Sequence, residues 1–371
     1  MPFPIENSPD ILSGEDLFEA LRKTRLPVFS YGTGNGADKL FAAAAEKGIP
    51  IAGIFVSDDF ARGQTFHGLP VSSYSEFAAK HPAGSAVVLT AFGSALPDVI
   101  ERVKKIAERY PLFVPDFPVC GDGLFDTAFV KAHESEFAAA QELFFDEASR
   151  SLFNAVVRAK RTGDFAALLA AVREETPLDI LEKNGFAPHV MGDFGAYDGD
   201  SAREALARFP LRKITAVEPD PRNFRKLQAM EKEFPELDLT LCNAALSDRE
   251  GEAPFDASGN RNAGLYTGKG TAKTRTVTAD MLFCGCDADY LKYDVEGAEK
   301  EGLLGAKKLI SRARPAVTVA LYHRREDLFA LPLLLAKDTP RYRFFLTRKR
   351  SFPMWDVDLV AIPVEKCKKV R

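Results

Sequence analysis

The sequence predicts an α/β protein in which two doubly wound parallel sheets are joined by a helical connector. Strand-like and helix-like segments alternate in the first third and again in the second half of the chain, and the stretch between them has only helical periodicity. The length of 371 residues also exceeds the usual size of a single hydrophobic core. We therefore expect an N-terminal module at 1–125, a connector at 126–184 and a second module at 185–371.

The N-terminal module begins with a β-α-β pattern. A β-rich run at 27–31 meets a glycine cluster, an alanine-rich helix follows, and a second apolar run at 51–56 ends at Asp58 and Asp59. Two later apolar runs flank the helical segment LPDVIERVKKIAERY. The connector then repeats apolar residues every three to four positions and lacks a strong strand signal. Such alternation is typical of a small parallel sheet covered by helices.

The second module has the same alternation in a longer form. Five apolar runs predict parallel strands, each followed by a turn or a helix. The last two runs, YRFFLTR and VDLVAIP, predict an antiparallel pair. The order is typical of a Rossmann-like sheet, with a ligand crevice at the carboxyl ends of the strands. The five predicted strands lie in HVMGDF, KITAVEPD, DLTLCNAALSD, DADYLKYD and PAVTVALYH.

Polar residues stand at the ends of four of these strands. Because the carboxyl ends of parallel strands meet at one edge of a sheet, we expect these side chains to surround one crevice. The turn after the first strand, DFGAYDGDS, has two glycines that allow close approach of backbone to a ligand. Its three aspartates disfavour a pyrophosphate in that place. The residues at the strand ends are Asp193, Glu218, Asn243 and Asp294.

The chemistry of this edge favours a nucleoside with a cationic end. A carboxylate at Glu218 can accept hydrogen bonds from both hydroxyls of a ribose, as in dinucleotide sites. Asn243 can address an adenine edge. S-adenosyl-L-methionine combines an adenosine with an ammonium and a sulfonium group, and both cations suit an acidic turn. We therefore expect this cofactor at the crevice in preference to NAD.

Five segments of the second module occur in a characteristic order: DFGAYDGDS, AVEPDPRNFRKL, NAALSDREG, YLKYDVEGAEKEGLLGA and RPAVTVALYHRREDLFALP. Together they resemble the FkbM-type methyltransferase family. The resemblance covers the chain from Leu178 to Pro363. It implies a Rossmann-like enzyme that depends on S-adenosyl-L-methionine and O-methylates a hydroxyl of a sugar, a glycan or a small natural product.

The resemblance also implies roles within the cofactor site. The turn after the first strand lies under the methionine part, the second strand end holds the ribose, and the third flanks the adenine. Asp294 lies beside the sulfonium or the amino group, and simple helix capping is the alternative for this residue. The implied cofactor-binding residues are Asp193, Gly195, Ala196, Tyr197, Glu218, Asn243, Ala244 and Asp294.

Methyl transfer to a hydroxyl needs a group that takes the proton. His323, at the end of the fifth predicted strand, is one candidate because imidazole titrates near neutrality. A structural hydrogen bond is the alternative for a lone histidine. Asp294 and Glu296 are the other candidate catalytic residues, and the resemblance implies that Glu296 faces the substrate.

The N-terminal module carries a second ligand motif. The stretch YGTGNGADKL has the spacing Gly-x-Gly-x-Gly, and an aspartate follows about 20 residues later. A nucleotide or nucleotide-sugar site is one interpretation, and packing alone is the other. Two alternatives to methyl transfer therefore stay open. The first is an oxidoreductase or epimerase that binds NAD(P) or a nucleotide-sugar, although no Tyr-x-x-x-Lys pair is found in the first half. The second is a non-catalytic cofactor-binding protein. The motif residues are Gly32, Gly34, Gly36 and Asp58.

Composition excludes several other classes of protein. A formal net charge of −4 gives no electrostatic reason to expect nucleic acid, and the longest apolar run is too short to span a bilayer. Five cysteines and no visible signal peptide favour a cytoplasmic protein. Cys284 and Cys286 lack further ligands at zinc spacing, so we expect no metal site. The expected partner is a small-molecule or saccharide acceptor, and a homo-oligomer is left open.

Overall fold

The computed structural model describes residues 15–255 and 272–367. The elements of the first third are β1 (Val28–Tyr31), β2 (Ile51–Val56), β3 (Thr65–Phe66), β4 (Leu69–Ser73), β5 (Val87–Thr90), β6 (Leu112–Phe113), α1 (Leu17–Lys23), α2 (Asn35–Glu46), α3 (Tyr74–Lys80) and α4 (Pro97–Ala107). The strands form one sheet in the order β3-β4-β2-β1-β5-β6, parallel apart from the β3–β4 pair. Every residue of β1 and β5 is buried, as expected for central strands covered on both faces.

Helices occupy the stretch predicted as a connector. They are α5 (Thr127–Ala132), α6 (Glu134–Leu143), α7 (Glu147–Thr162), α8 (Phe165–Ala170) and α9 (Pro177–Lys183). The longest, α7, begins after Asp146, whose carboxylate accepts a hydrogen bond from the Ser149 amide at 2.8 Å. It ends at Gly163, which adopts the left-handed conformation at φ 63°. The side chains of Phe153 and Val157 are fully buried and anchor α7 in the core.

The second half of the chain contains ten strands and seven helices among the described residues. The strands are β7 (Val190–Phe194), β8 (Lys213–Val217), β9 (Asp238–Cys242), β10 (Ala245–Leu246), β11 (Gly251–Phe255), β12 (Ala272–Val277), β13 (Tyr290–Tyr293), β14 (Ala316–Ala320), β15 (Tyr342–Arg348) and β16 (Val357–Pro363). The helices are α10 (Asp200–Arg208), α11 (Pro221–Leu227), α12 (Met230–Glu233), α13 (Ala279–Leu282), α14 (Glu299–Leu304), α15 (Lys307–Ala313) and α16 (Asp327–Asp338).

Seven of these strands form the second large sheet, in the order β15-β16-β14-β13-β7-β8-β9. The pairs from β14 to β9 are parallel, and β16 and β15 add the predicted antiparallel pair. After β7, the strands β8 and β9 are added on one side of it, and β13 is then added on the opposite side of β7. The junction of β7 and β13 is therefore the topological switch point, where open α/β sheets bind ligands. The fold confirms the predicted α/β class.

Two features of the second half differ from the sequence-based expectation. A small three-stranded sheet, in the order β10-β12-β11, was not predicted. The apolar periodicity of EKEGLLGAKKLISRA, after the fourth predicted strand, predicts helical structure throughout, but the segment is divided into α14 and α15 near Gly305. A Cβ atom at Gly305 would lie 2.1 Å from the carbonyl oxygen of Ser247, so the close passage of another backbone accounts for the interruption.

A buried arginine ties the connector to the second sheet. Arg348 lies at the end of β15 and is fully buried. Its guanidinium donates hydrogen bonds to the carbonyl oxygens of Leu168 at 3.0 Å, Ala171 at 2.7 Å and Ser351 at 2.7 Å. These three bonds offset part of the cost of burying the charge, although Nε of Arg348 has no hydrogen-bond partner among the described residues. Of the helices that the structure describes, none combines the length and the apolar character that crossing a membrane requires.

Candidate active site

A cavity of about 440 Å³ lies at the switch point of the second sheet. Its wall is formed by the turns after β7, β8 and β13, by the first turn of α10, and by residues of the β15–β16 hairpin. This is the position expected for a ligand in a doubly wound sheet. The residues of the wall that bear on the chemistry are Gly195, Tyr197, Glu218, Lys292, Asp294, Glu296, Tyr322, Asp356 and Asp358.

The turn after β7 passes directly over the end of β13. Gly195 adopts φ 78°, and a Cβ atom there would lie 1.8 Å from the carbonyl oxygen of Asp294. Only glycine fits such a contact, since both the backbone angle and the space exclude a side chain. Tyr197 follows at φ 50°, and Gly199 at φ 89° precedes the first residue of α10. The strained turn therefore presents bare backbone to the cavity.

Glu218 joins this turn to the end of β8. Its carboxylate accepts hydrogen bonds from the amide of Tyr197 at 2.9 Å and from the amide of Asp220 at 2.8 Å. Burial raises the pKa of Glu218 to about 7. Asn243 holds the same strand end from the other side, because its amide donates to the carbonyl oxygens of Glu218 at 2.8 Å and Pro219 at 3.1 Å. Glu218 thus keeps lone pairs for further donors.

A buried ion pair lies behind the cavity. Asp193 on β7 is fully buried and stands opposite Lys292 on β13 in the strand register. The Lys292 ammonium lies 3.4 Å from Asp193 Oδ1 and 3.9 Å from Asp294 Oδ2. Burial alone would lower the pKa of Lys292, but these two carboxylates outweigh it and raise that pKa. Lys292 is therefore a cation held between Asp193 on β7 and Asp294 at the edge of the cavity.

His323 is the centre of a second charged cluster. Its ring is fully buried, and Nδ1 lies 2.8 Å from Glu299 Oε1. On the other side of the ring, Nε2 lies 3.4 Å from Glu296 Oε2 and 3.6 Å from Asp294 Oδ1. Burial pushes the pKa of His323 down, but the three carboxylates outweigh it and raise that pKa to about 10. At neutral pH His323 is therefore an imidazolium.

Glu296 stands between this cation and the cavity. It adopts φ 53°, and 22% of its side chain is exposed. Burial raises the pKa of Glu296 to about 8, although His323 opposes that rise. Ligand atoms of Asp294, Glu299 and His323 also lie within 4.8 Å of one another, a spacing that a metal ion can use. We interpret the cluster as an ion-pair network, because Nδ1 of His323 is already engaged by Glu299.

The family comparison covers most of this arrangement. Residues 193–352 match the family model described as the methyltransferase FkbM domain. Because of this similarity, we refer to the part of the chain from β7 to β16 as the FkbM domain. The match includes the turn after β7, Glu218, Asp294, Glu296 and His323, and it confirms the predicted resemblance.

One solved structure shows the fold over nearly the whole chain. The crystal structure of methyltransferase FkbM from Methylobacillus flagellatus KT aligns over 95% of each chain, with a TM-score of 0.69 and 17% identity. At this identity the likeness shows the fold. Precorrin-6y C5,15-methyltransferase from Geobacter metallireducens GS-15 aligns over 51% of this chain and 87% of its own, with a TM-score of 0.31 and 15% identity. An rRNA methylase from Streptococcus thermophilus covers 51% and 96%, with a TM-score of 0.34 and 11% identity. No curated protein matches the chain in sequence.

The predicted site residues of the FkbM domain divide into three groups. Those that line the cavity are Gly195, Tyr197, Glu218, Asp294 and Glu296. Those that lie buried behind the wall are Asp193, Ala196, Ala244 and His323. Asn243 is exposed at the edge, and its amide group is used to hold the Glu218 strand end. The roles assigned to all of them stay predictions.

Several residues of the FkbM site were missed in the sequence. Lys292 could have been noticed, because a lysine inside an otherwise apolar strand is rarely buried without a partner. Tyr322, whose hydroxyl donates to Asp294 Oδ1 at 3.3 Å, directly precedes the chosen histidine. Asp358 is different: it pairs with Ala320 across antiparallel strands, and that register cannot be read from the local sequence.

Close packing or backbone conformation accounts for two of the three glycines of the N-terminal motif, whereas Gly34 has open space around it. A Cβ atom at Gly36 would lie 2.4 Å from the carbonyl oxygen of Ala91, so this glycine lets α2 lie against the segment after β5. Gly32 adopts φ 119° beside the ring of Phe92. Asp58 accepts hydrogen bonds from the amide and hydroxyl of Ser75 at 2.8 Å and 2.7 Å. No comparison with known proteins supports a nucleotide or nucleotide-sugar in this module.

Proposed function

We propose that the FkbM domain transfers a methyl group from S-adenosyl-L-methionine to a hydroxyl of a sugar, a glycan or a small natural product. The observation that carries the proposal is the shared cavity. The glycine turn over β13, the Glu218 carboxylate and the Asp294–Glu296 pair all meet in it, at the switch point of the sheet. The carboxylate that would accept hydrogen bonds from the ribose, Glu218, and the carboxylates that could take a proton, Asp294 and Glu296, therefore lie on the same wall of the cavity.

The wall of the cavity suits a cofactor that carries positive charge. Its described residues include seven carboxylates and two lysines. Excess negative charge in a partly enclosed site stabilises an ammonium and a sulfonium group. It opposes a pyrophosphate, and this argues against NAD as the ligand. The charged residues of the wall are Asp200, Glu204, Glu218, Asp294, Glu296, Asp356, Asp358, Lys292 and Lys349.

The residues present fit S-adenosyl-L-methionine, which supplies an electrophilic methyl group. Glu218 would hold the ribose, since two amides fix its carboxylate while lone pairs remain. Gly195 lines the cavity, and its lack of a side chain lets the turn after β7 pass over the Asp294 carbonyl at the end of β13. Asp294 stands close by at the end of β13 and would face the cationic part of the cofactor.

Glu296 is the residue that we assign to the proton of the acceptor hydroxyl. It lines the cavity, and its raised pKa of about 8 suits a general base near neutrality. His323 is buried and protonated, so we assign it a positioning role. Its positive charge, 3.4 Å from Glu296, favours the ionised carboxylate that can accept a proton.

The experiment that tests the proposed function is methyl transfer from S-adenosyl-L-methionine with a deuterated methyl group. Neutral sugars, oligosaccharides and hydroxylated natural products serve as acceptors, and their amino analogues serve as controls. Mass spectrometry with fragment analysis shows whether the label resides on oxygen. Label on a hydroxyl supports the proposal, label on nitrogen alone contradicts it, and cofactor binding without transfer favours a non-catalytic protein.

Glu218→Ala should weaken the binding of S-adenosyl-L-methionine. Loss of charge-assisted bonds to the ribose is expected to cost about 1–3 kcal/mol, which raises the Kd by about 5- to 150-fold. Isothermal titration calorimetry measures the change, with NAD titrated in parallel. Glu231→Ala, an exposed substitution on α12, is the matched control and should leave the Kd unchanged. An unaltered Kd in Glu218→Ala would refute the ribose-binding role.

The same carboxylate predicts a pH dependence of cofactor binding. Glu218 accepts hydrogen bonds best when ionised, and its pKa is about 7 in the free protein. The ionised fraction rises by about tenfold between pH 6 and pH 8, so the affinity should rise by up to about the same factor. Calorimetry at both pH values tests this expectation, and Glu218→Gln should lose most of the dependence. A Kd in the parent protein that does not vary with pH would contradict it.

A further inference from the structure

Residues 117–123, which we name the bracing segment, connect the N-terminal module to the methyl-transfer site. The segment follows β6 and lies against the two turns that carry Glu296 and His323. At its centre, the Cys120 amide donates to the carbonyl oxygen of His323 at 2.9 Å. The Cys120 thiol donates to the carbonyl oxygen of Glu296 at 3.1 Å. One buried residue therefore holds the backbone of both turns.

The turn at Glu296 needs such support. Glu296 adopts φ 53°, a left-handed conformation that is unfavourable for a residue with a side chain. Gly297 follows at φ 94°, and a Cβ atom on it would lie 2.9 Å from Cys120 Cβ and Sγ. Arg324 donates from Nε to the carbonyl oxygen of Gly297 at 3.0 Å. Contacts from Cys120 and from Arg324 thus hold the strained turn at Glu296 in place.

The bracing segment is itself fixed from the N-terminal module. Lys39 on α2 donates from Nζ to the carbonyl oxygens of Pro118 at 2.5 Å and Val119 at 3.3 Å. The helix that carries Lys39 lies close to the sheet because Gly36 leaves room for the Ala91 carbonyl. Gly36 of the glycine-rich stretch thus helps to place Lys39 next to the bracing segment.

We propose that the N-terminal module acts as a positioning device for the methyl-transfer site, with Lys39 and Cys120 as positioning residues for Glu296. It rests on the proposed function only where Glu296 is taken as the base. The bracing segment keeps the Glu296 backbone in its strained conformation, and this conformation directs the carboxylate into the cavity. Without the brace the turn relaxes, and fewer molecules hold the base at the acceptor.

The first test is hydrogen–deuterium exchange of the full chain, which requires no acceptor. Lys39→Met should speed exchange in peptides that cover 294–299 and 320–326 by about tenfold, which corresponds to about 1.4 kcal/mol of lost local stability. Lys39→Arg, which keeps donors for the two carbonyls, should restore most of the protection. Lys105→Met, at an exposed position of α4 in the same module, is the control. Unchanged exchange at 294–299 in Lys39→Met overturns the proposal.

The second test separates positioning from general stability. With an acceptor from the methyl-transfer assay, Cys120→Ala should lower kcat by about tenfold and leave the Kd of S-adenosyl-L-methionine within about twofold. Cys120→Ser keeps a hydrogen-bond donor and should recover most of the rate. Equal losses in the Ala and Ser variants, or a weakened Kd that parallels a lowered Tm, overturn the proposal. Should no acceptor be methylated, the proposed function fails while the exchange experiment still decides the bracing role.

Discussion

Glu296→Gln is expected to lower kcat for methyl transfer by about 10²- to 10⁴-fold and to leave the Kd of S-adenosyl-L-methionine within about twofold. Glutamine has nearly the same shape and keeps a hydrogen-bonding oxygen near His323, so the fold and the cavity should persist. It cannot take up the proton of the acceptor hydroxyl. Single-turnover measurement of label transfer gives the rate, and calorimetry gives the Kd.

The pH profile identifies the cause of that loss. In the parent protein kcat/KM should rise with pH through about 8, because Glu296 must be ionised to act as a base and its pKa is about 8 in the free protein. The bound sulfonium favours the ionised form, so the corresponding rise in kcat should lie at lower pH. Glu296→Gln should lose this rise. Full activity in the variant, or an unchanged profile, would remove Glu296 from the role of base.

A matched substitution at His323, the cation next to Glu296, is expected to shift the pH profile of methyl transfer instead of abolishing it. His323→Gln keeps a side chain of similar length but removes the positive charge 3.4 Å from the Glu296 carboxylate. If His323 were itself the base, this variant would lose activity at every pH. In the arrangement that we propose, it shifts the profile to higher pH, because the pKa of Glu296 rises when the cation is lost. The two outcomes are distinct in the same assay.

The sheet of the FkbM domain could be predicted because its signals are local. The central strands β7, β8, β13 and β14 are short runs of mostly buried residues, and each is followed by turn residues. Parallel order then brings Glu218 and Asp294 to one edge without further information. The structure places both on the wall of the same cavity.

The rest of the site depends on pairings between distant parts of the chain. Asp193 meets Lys292 only because β7 and β13 are neighbours in register, and Asp358 reaches the cavity through the antiparallel β16. Cys120 contacts Glu296 across 176 positions of sequence. No periodicity or spacing encodes such contacts, since they follow from how whole elements pack.

The N-terminal glycines show why a motif can be ambiguous. Glycine is required wherever a backbone is approached too closely for a side chain, whether the neighbour is a phosphate or another strand. At Gly36 the close neighbour is the carbonyl oxygen of Ala91. The spacing Gly-x-Gly-x-Gly therefore does not tell whether a ligand or another backbone segment lies beside the glycines. At Gly195 the close neighbour is likewise a backbone carbonyl, that of Asp294, and the ligand-facing interpretation there rests on the cavity beside it.

Gly195→Ala is expected to lower the free energy of unfolding by about 3 kcal/mol or more and to raise the Kd of S-adenosyl-L-methionine by at least about 100-fold. An alanine at φ 78° costs about 1–2 kcal/mol by itself. Its Cβ atom would also lie 1.8 Å from the Asp294 carbonyl oxygen. That oxygen belongs to backbone at the end of a central strand, so it cannot turn aside as a flexible side chain would. The turn and the end of β13 must separate, and both contribute to the cavity wall.

Denaturant unfolding and calorimetry test this prediction against Gly285→Ala. Gly285 has open space around the position of its Cβ atom and no left-handed φ, so alanine there should change stability by less than about 0.5 kcal/mol. If Gly195→Ala unfolded like the Gly285 variant and bound the cofactor normally, the turn after β7 would not lie against Asp294. The cavity would then lose the contact that brings Glu218, Asp294 and Glu296 to one wall, and the assignment of the methyl-transfer site would fail with it.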